Sequence, residues 1–140
     1  MMDKDLIELI TLGVLAFMGF LVLWATIDRL LFFRNFNPES YAKKQTLEVE
    51  LTRNLSLIAT IASNAPYVGL LGTVFGIMIT FYQIGQGGAV EAGAIMTGLA
   101  LALKATAAGL FVAIPAMIAY NLLVRKVEVL IARWEAARDA

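Results

Sequence analysis

Cysteine and histidine are both missing from the 140 residues of this chain. Without cysteine there is no disulfide, no iron–sulfur cluster and no thiolate zinc site. Without histidine the chain lacks the commonest metal ligand and the usual proton shuttle near neutral pH, so neither metal nor cofactor is expected. Charge is thin as well, at 16% of residues with a formal net charge of zero, and no basic patch suited to nucleic acid is present. What fills the space is apolar. The chain is 60% hydrophobic with a mean hydropathy of +0.78, against about 45–50% apolar for a soluble domain. It reads as an integral membrane protein. No room is left for a separate catalytic domain, and the side chains hydrolytic chemistry requires are wanting, so an enzyme is not expected.

The dominant stretch is Ala94–Val124, which carries one formal charge, Lys104. As a helix it would run about 46 Å, where a bilayer core of about 30 Å needs only about 20 apolar residues. Gly98, Ala102, Ala105, Gly109, Ala113 and Ala116 recur there at steps of three and four. Small residues at that period let another helix approach closely. Counted from Ala94, Lys104 falls close to mid-depth, where a lysine costs roughly 3 kcal/mol and normally faces a bundle interior or a wet cavity. This helix belongs to an assembly.

Taken in order, the chain opens with Asp3, Asp5 and Glu8 against Lys4. No basic n-region or small-residue cleavage site is evident, so Leu9–Ile27 is expected to be an uncleaved first span, with Trp24, Phe32 and Phe33 near its end suiting the interfacial aromatic belt. Asn37-Pro38-Glu39 predicts a helix start, with asparagine as N-cap and proline at the first helical position. From there Leu47, Leu51, Leu55, Ile58 and Ala62 share one helical face, predicting an amphipathic helix that continues to the membrane. Tyr41, Val49 and Leu57 fall off that stripe, so more than one face should find a partner. Ala65–Ile84 is a second span, in which Gly69, Thr73, Gly76 and Thr80 share a face and Gly72 and Gly76 form a small-xxx-small pair. Gln83–Gly93 predicts a short hairpin, which makes its flanking helices antiparallel neighbours. Pro66 and Pro115 are expected to kink or loosen their helices.

The expected architecture is therefore all-α. One membrane domain covers residues 1–140, with spans at about 9–27, 65–84 and 94–124 and cytoplasmic helical parts at about 38–64 and 125–138. Arg29, Arg34, Lys43, Lys44 and Arg53 lie between the first two spans. Arg125, Lys126, Arg133 and Arg138 lie in the tail, and the hairpin has neither lysine nor arginine. The positive-inside rule puts the middle segment and tail in the cytoplasm, and the N-terminus and hairpin outside.

The run Ala65-Pro66-Tyr67-Val68-Gly69-Leu70-Leu71-Gly72-Thr73-Val74-Phe75-Gly76-Ile77-Met78 resembles the second-span signature of the TolQ/ExbB/MotA proton-channel family. So does Gly98–Leu110 (GLALALKATAAGL), followed by Val112-Ala113-Ile114-Pro115-Ala116 and Tyr120-Asn121. The likeness spans residues 60–125 and is strongest to short forms of ExbB. It implies a ring-shaped homo-oligomer, a pentamer, in a bacterial inner membrane around two transmembrane helices of an ExbD-like single-span partner. In that family an aspartate on the partner helix takes up and releases protons, and a TonB-like protein carries the work to an outer-membrane receptor. Motif alignment puts the pore-lining threonines at Thr73 and Thr106, with Gly69, Gly72, Gly76, Gly98, Ala102 and Gly109 as helix-packing positions. A hydroxyl both donates and accepts, so it can hold water without a permanent charge.

Two departures from the pattern GIAEALLATA matter: Leu101 stands where the glutamate is usual, and Lys104 where an aliphatic residue is usual. Lys104 is about 200° around the helix from Thr106, so the two cannot point down one axis. Its readings are a lysine that snorkels or pairs between helices, an ion pair with the partner complex, or a place in the conduction path. Glu8 is the nearest plausible acid, with depth expected to keep the two apart. Glu91 reads as a solvated hairpin residue. The competing functions are a TolQ-like role in envelope maintenance, a scaffold that conducts nothing, and a small multidrug-type transporter. The last is disfavoured because no acid lies deep in any span.

Overall fold

The computed structural model describes residues 4–87 and 91–139. Asp3, and residues 88–90 of the expected hairpin, lie outside them. The described residues are helical, with α1 at Lys4–Arg34, a 3-10 turn at Pro38–Ser40, α2 at Lys44–Leu51, α3 at Leu55–Gly85 and α4 at Ala92–Asp139. Of these, α1, α3 and α4 are long and apolar enough to cross a membrane.

Helix α1 buries one stripe, Ile7, Thr11, Leu15, Val22, Ala25, Arg29 and Phe33, at the steps of three and four that an α-helix requires. Its opposite side leaves Leu9, Phe17, Phe20, Leu23, Trp24 and Ile27 exposed. Helices α3 and α4 are antiparallel: Gly69 lies against Ala105 and Gly109, and Gly76 against Ala102. Helix α1 runs parallel to α4, with Glu8 beside Lys104 and Gly19 beside Val112. Pro66 and Pro115 sit inside α3 and α4, and both helices continue through them.

The segment after α1 corrects one expectation. Asn37 does cap a helical turn, its side chain accepting from the Glu39 N–H at 3.1 Å, but that turn ends at Ser40. The amphipathic segment is then split in two, because Asn54 adopts the left-handed conformation at φ +68°, which asparagine tolerates better than most residues. Leu47, Leu51, Leu55, Ile58 and Ala62 are nevertheless all buried, so the apolar stripe crosses the break in phase. They pack with Leu123, Val127, Leu130 and Trp134 of α4 in the largest apolar cluster. Tyr41 and Leu57 pack at its edge, whereas Val49 is exposed.

Polar contacts fasten this region. The buried Arg29 donates to the Glu50 carbonyl at 2.6 Å and to the Asp28 carboxylate at 2.9 Å, and Asn54 donates to that same carboxylate. The break between α2 and α3 is thereby tied to the end of α1. Farther along, the Tyr41 carbonyl accepts from Trp134 Nε1 at 3.1 Å and from Arg138 at 2.6 Å. Lys44 meets Glu135 at 2.6 Å, and that carboxylate raises the lysine above its ordinary pKa. Residues 35–51 thus form a strap held against the far end of α4.

Candidate functional site: paired hydroxyls at the α3–α4 crossing

Gly98, Ala102, Ala105, Gly109, Ala113 and Ala116 are buried along the apolar part of α4. Opposite them α3 buries Gly69, Gly72, Thr73, Gly76 and Thr80. Both faces lack bulk, so the backbones come close. A Cβ placed on Gly109 would stand 2.6 Å from the Ala65 carbonyl oxygen, and one on Gly69 would stand 2.5 Å from that of Ala105.

One turn from this point of closest approach the two predicted threonines meet. Thr73 Oγ1 contacts Thr106 Oγ1. It also donates across the interface to the Ala102 carbonyl at 2.8 Å and lies 3.3 Å from the Gly69 carbonyl in its own helix. A hydroxyl has one proton to give. With that proton on Ala102, Thr73 accepts from Thr106, and the lone pairs of Thr106 remain open. Thr73 is buried, whereas Thr106 is only half-buried, so the pair is open on the Thr106 side. Among the described residues no carboxylate bonds either hydroxyl. Thr80, farther along the same face, donates to the Gly76 carbonyl within its own helix.

Helix α1 completes the site from the side. Thr11 rests on Gly72, where a Cβ would meet the threonine methyl at 2.7 Å. Asp5, Glu8, Thr11 and Leu101 are among the residues lining a cavity of about 30 Å³ between the three helices, large enough to admit water. Leu101, the position where the motif usually has glutamate, thus opens on a space that carboxylates reach from α1 instead.

Lys104 lies apart from the hydroxyls and pairs with Glu8, Nζ to Oε1, at 2.9 Å. This corrects the expectation that depth would separate them. Helix α4 begins so far beyond the start of α1 that Lys104, about 18 Å along it, is level with the second turn of α1. The geometry favours the pair, because side chains on a helix lean toward its N-terminus and Glu8 lies in that direction. Thr11 and Glu8 could have been read from sequence only by allowing the α3–α4 hairpin to protrude. The Lys104 side chain is 56% exposed, so solvent screening limits the pair to about 1 kcal/mol. Glu8→Gln or Lys104→Met alone is expected to lose that amount and leave the fold intact. Exchanging the two, Glu8→Lys with Lys104→Glu, is expected to recover most of it in a double-mutant cycle of unfolding free energies. Zero coupling would show that the contact contributes nothing.

Comparison with known proteins identifies the family. Residues 25–136 match the MotA/TolQ/ExbB proton channel family. The chain is 56% identical over 133 residues to the biopolymer transport protein ExbB of Aquifex aeolicus, covering 95% of this chain and 90% of that protein. Against a putative biopolymer transport protein, ExbB-like 2, of Helicobacter pylori, identity is 49% over 132 residues, covering 94% and 88%. The Tol-Pal system protein TolQ of Pseudomonas aeruginosa is 45% identical over 92 residues, 66% of this chain and 40% of that protein. The family match over residues 25–136 and these relatives show that the chain belongs to the MotA/TolQ/ExbB proton channel family.

Proposed function

We propose that this chain is the ring-forming subunit of an inner-membrane motor of the ExbB type, driven by the proton-motive force. Five copies enclose two helices of an ExbD-like single-span protein, which supplies the titrating aspartate. Thr73 and Thr106 hold water beside that acid. The start of α1 and the α3–α4 hairpin face the periplasm, and the strap and the end of α4 face the cytoplasm. A proton crossing in this way releases about 2.3 kcal/mol per 100 mV, which a TonB-like protein delivers to an outer-membrane receptor for nutrient import.

The observation that carries this reading is the hydroxyl pair. Two neutral groups that donate and accept sit together on the small-residue faces of α3 and α4, with Thr106 half-open. Such a pair can pass a proton to or from an acid only if that acid comes from elsewhere. The non-conducting scaffold is the second reading, and Leu101 in place of glutamate favours it. Co-reconstitution with an ExbD-like partner in liposomes containing a pH-sensitive dye separates them. Potential-driven proton flux that requires both chains is the expected result. An intact complex that passes no protons would leave the scaffold, and flux through this chain alone would remove the role given to the partner acid.

A further inference from the structure

Where the apolar run of α1 ends, residues of α1 and α4 line a groove of about 340 Å³. Its floor is apolar, made by the buried Phe33 and Leu123, and its rim is formed by the exposed Leu30 and Leu122. Two cations stand over it, Arg34 as the last residue of α1 and Lys126 just past the apolar part of α4. Neither takes part in an ion pair among the described residues. Nearby cations are engaged, Arg29 by Asp28 and Arg125 by Glu128. The free pair therefore faces an apolar slot where the apolar runs of α1 and α4 end.

We infer that this groove binds one anionic phospholipid, its phosphate between Arg34 and Lys126 and an acyl chain along Leu30, Phe33 and Leu122. The chemistry of the slot selects that occupant. A guanidinium fork takes two phosphate oxygens at once, and the lysine ammonium adds a point charge on a third. A free anion would leave the apolar floor uncovered, and a zwitterionic lipid would bring its own ammonium against two cations already present. Basic pockets between membrane helices at a charged boundary commonly hold acidic headgroups. The site is remote from the hydroxyl pair and does not depend on the conduction reading.

Native mass spectrometry of the full chain, extracted into micelles containing phosphatidylglycerol or phosphatidylcholine of matched chains, tests it. The wild type is expected to retain phosphatidylglycerol about tenfold better, a preference of about 1.4 kcal/mol. Arg34→Gln with Lys126→Gln should bring retention down to the phosphatidylcholine level. Leu122→Trp, which fills the groove and keeps both charges, should produce the same loss. Equal retention of the two lipids by the wild type would overturn the proposal, as would undiminished retention by the double variant. Competition by inorganic phosphate would overturn the lipid as occupant. So would cross-linking of Leu122→Cys to a second copy, a clean probe in a chain without cysteine, because the groove would then be a contact between subunits.

Discussion

Gly109→Ala is expected to destabilise the purified protein, and Gly13→Ala to leave it unchanged or more stable. Both replace a helical glycine, and alanine in a helix gains about 1 kcal/mol over glycine when nothing stands in the way. Around Gly13 nothing lies within 4 Å of the new methyl group, so the gain is realised. At Gly109 the methyl would stand 2.6 Å from the Ala65 carbonyl oxygen and 3.1 Å from the Gly69 Cα. Those atoms are backbone, fixed by the hydrogen bonds of α3, and cannot swing aside. Forcing extra carbon into a closed contact costs about 1–3 kcal/mol, which exceeds the propensity gain, so the helices separate. Gly69→Ala should behave alike, because its obstacle is the Ala105 carbonyl at 2.5 Å. Gly72→Ala meets side chains rather than backbone, the Thr11 methyl at 2.7 Å and the Ala105 Cβ at 3.0 Å, so it is expected to cost less than Gly109→Ala. Thermal or denaturant unfolding in detergent ranks the four. A Gly109→Ala protein as stable as Gly13→Ala would mean that the crossing is not closed.

The largest functional effect is expected from Thr73→Val combined with Thr106→Val. Valine keeps the shape of threonine and deletes the hydroxyl, so the packing of α3 on α4 persists. Removing one buried hydrogen bond changes stability by only about 0.5–1.5 kcal/mol, and here both partners of the hydroxyl contact leave together. Proton flux in the reconstituted complex, and energised uptake in cells, should fall to background while the oligomer survives. Of the single changes, Thr106→Val is expected to cost more flux, because its hydroxyl is the one open to water, whereas that of Thr73 is spent on Ala102 and Thr106. Wild-type uptake in the double variant would take both residues off the proton route.

Much of this arrangement could be read from residue spacing. The small-residue face of α4 was legible because steps of three and four have one meaning on a helix, and the antiparallel α3–α4 pair because the connection is short. The break at Asn54 was hidden for a physical reason: one left-handed residue turns the backbone yet leaves Leu47, Leu51, Leu55 and Ile58 on a common face, so periodicity does not register it. The Glu8–Lys104 contact was hidden because depth was counted from the first apolar residue of the third span. Only tertiary packing reveals how far that helix projects past the first. The strap was illegible for another reason. Its anchors, Trp134 and Arg138, bind the Tyr41 carbonyl, a backbone group present at every position and marked by none.

Helix α4 is unbroken over 48 residues, about 72 Å, and its tightest contact is off centre. From Gly109 about 26 Å of rod extends to Ala92 and about 45 Å to Asp139. A tilt about that glycine would have to carry along the elements packed on the longer arm through Leu123, Val127, Leu130 and Trp134. The clamp formed by Tyr41 and Lys44 grips the far tip, so sideways motion there must carry the segment joining α1 to α3 along with it.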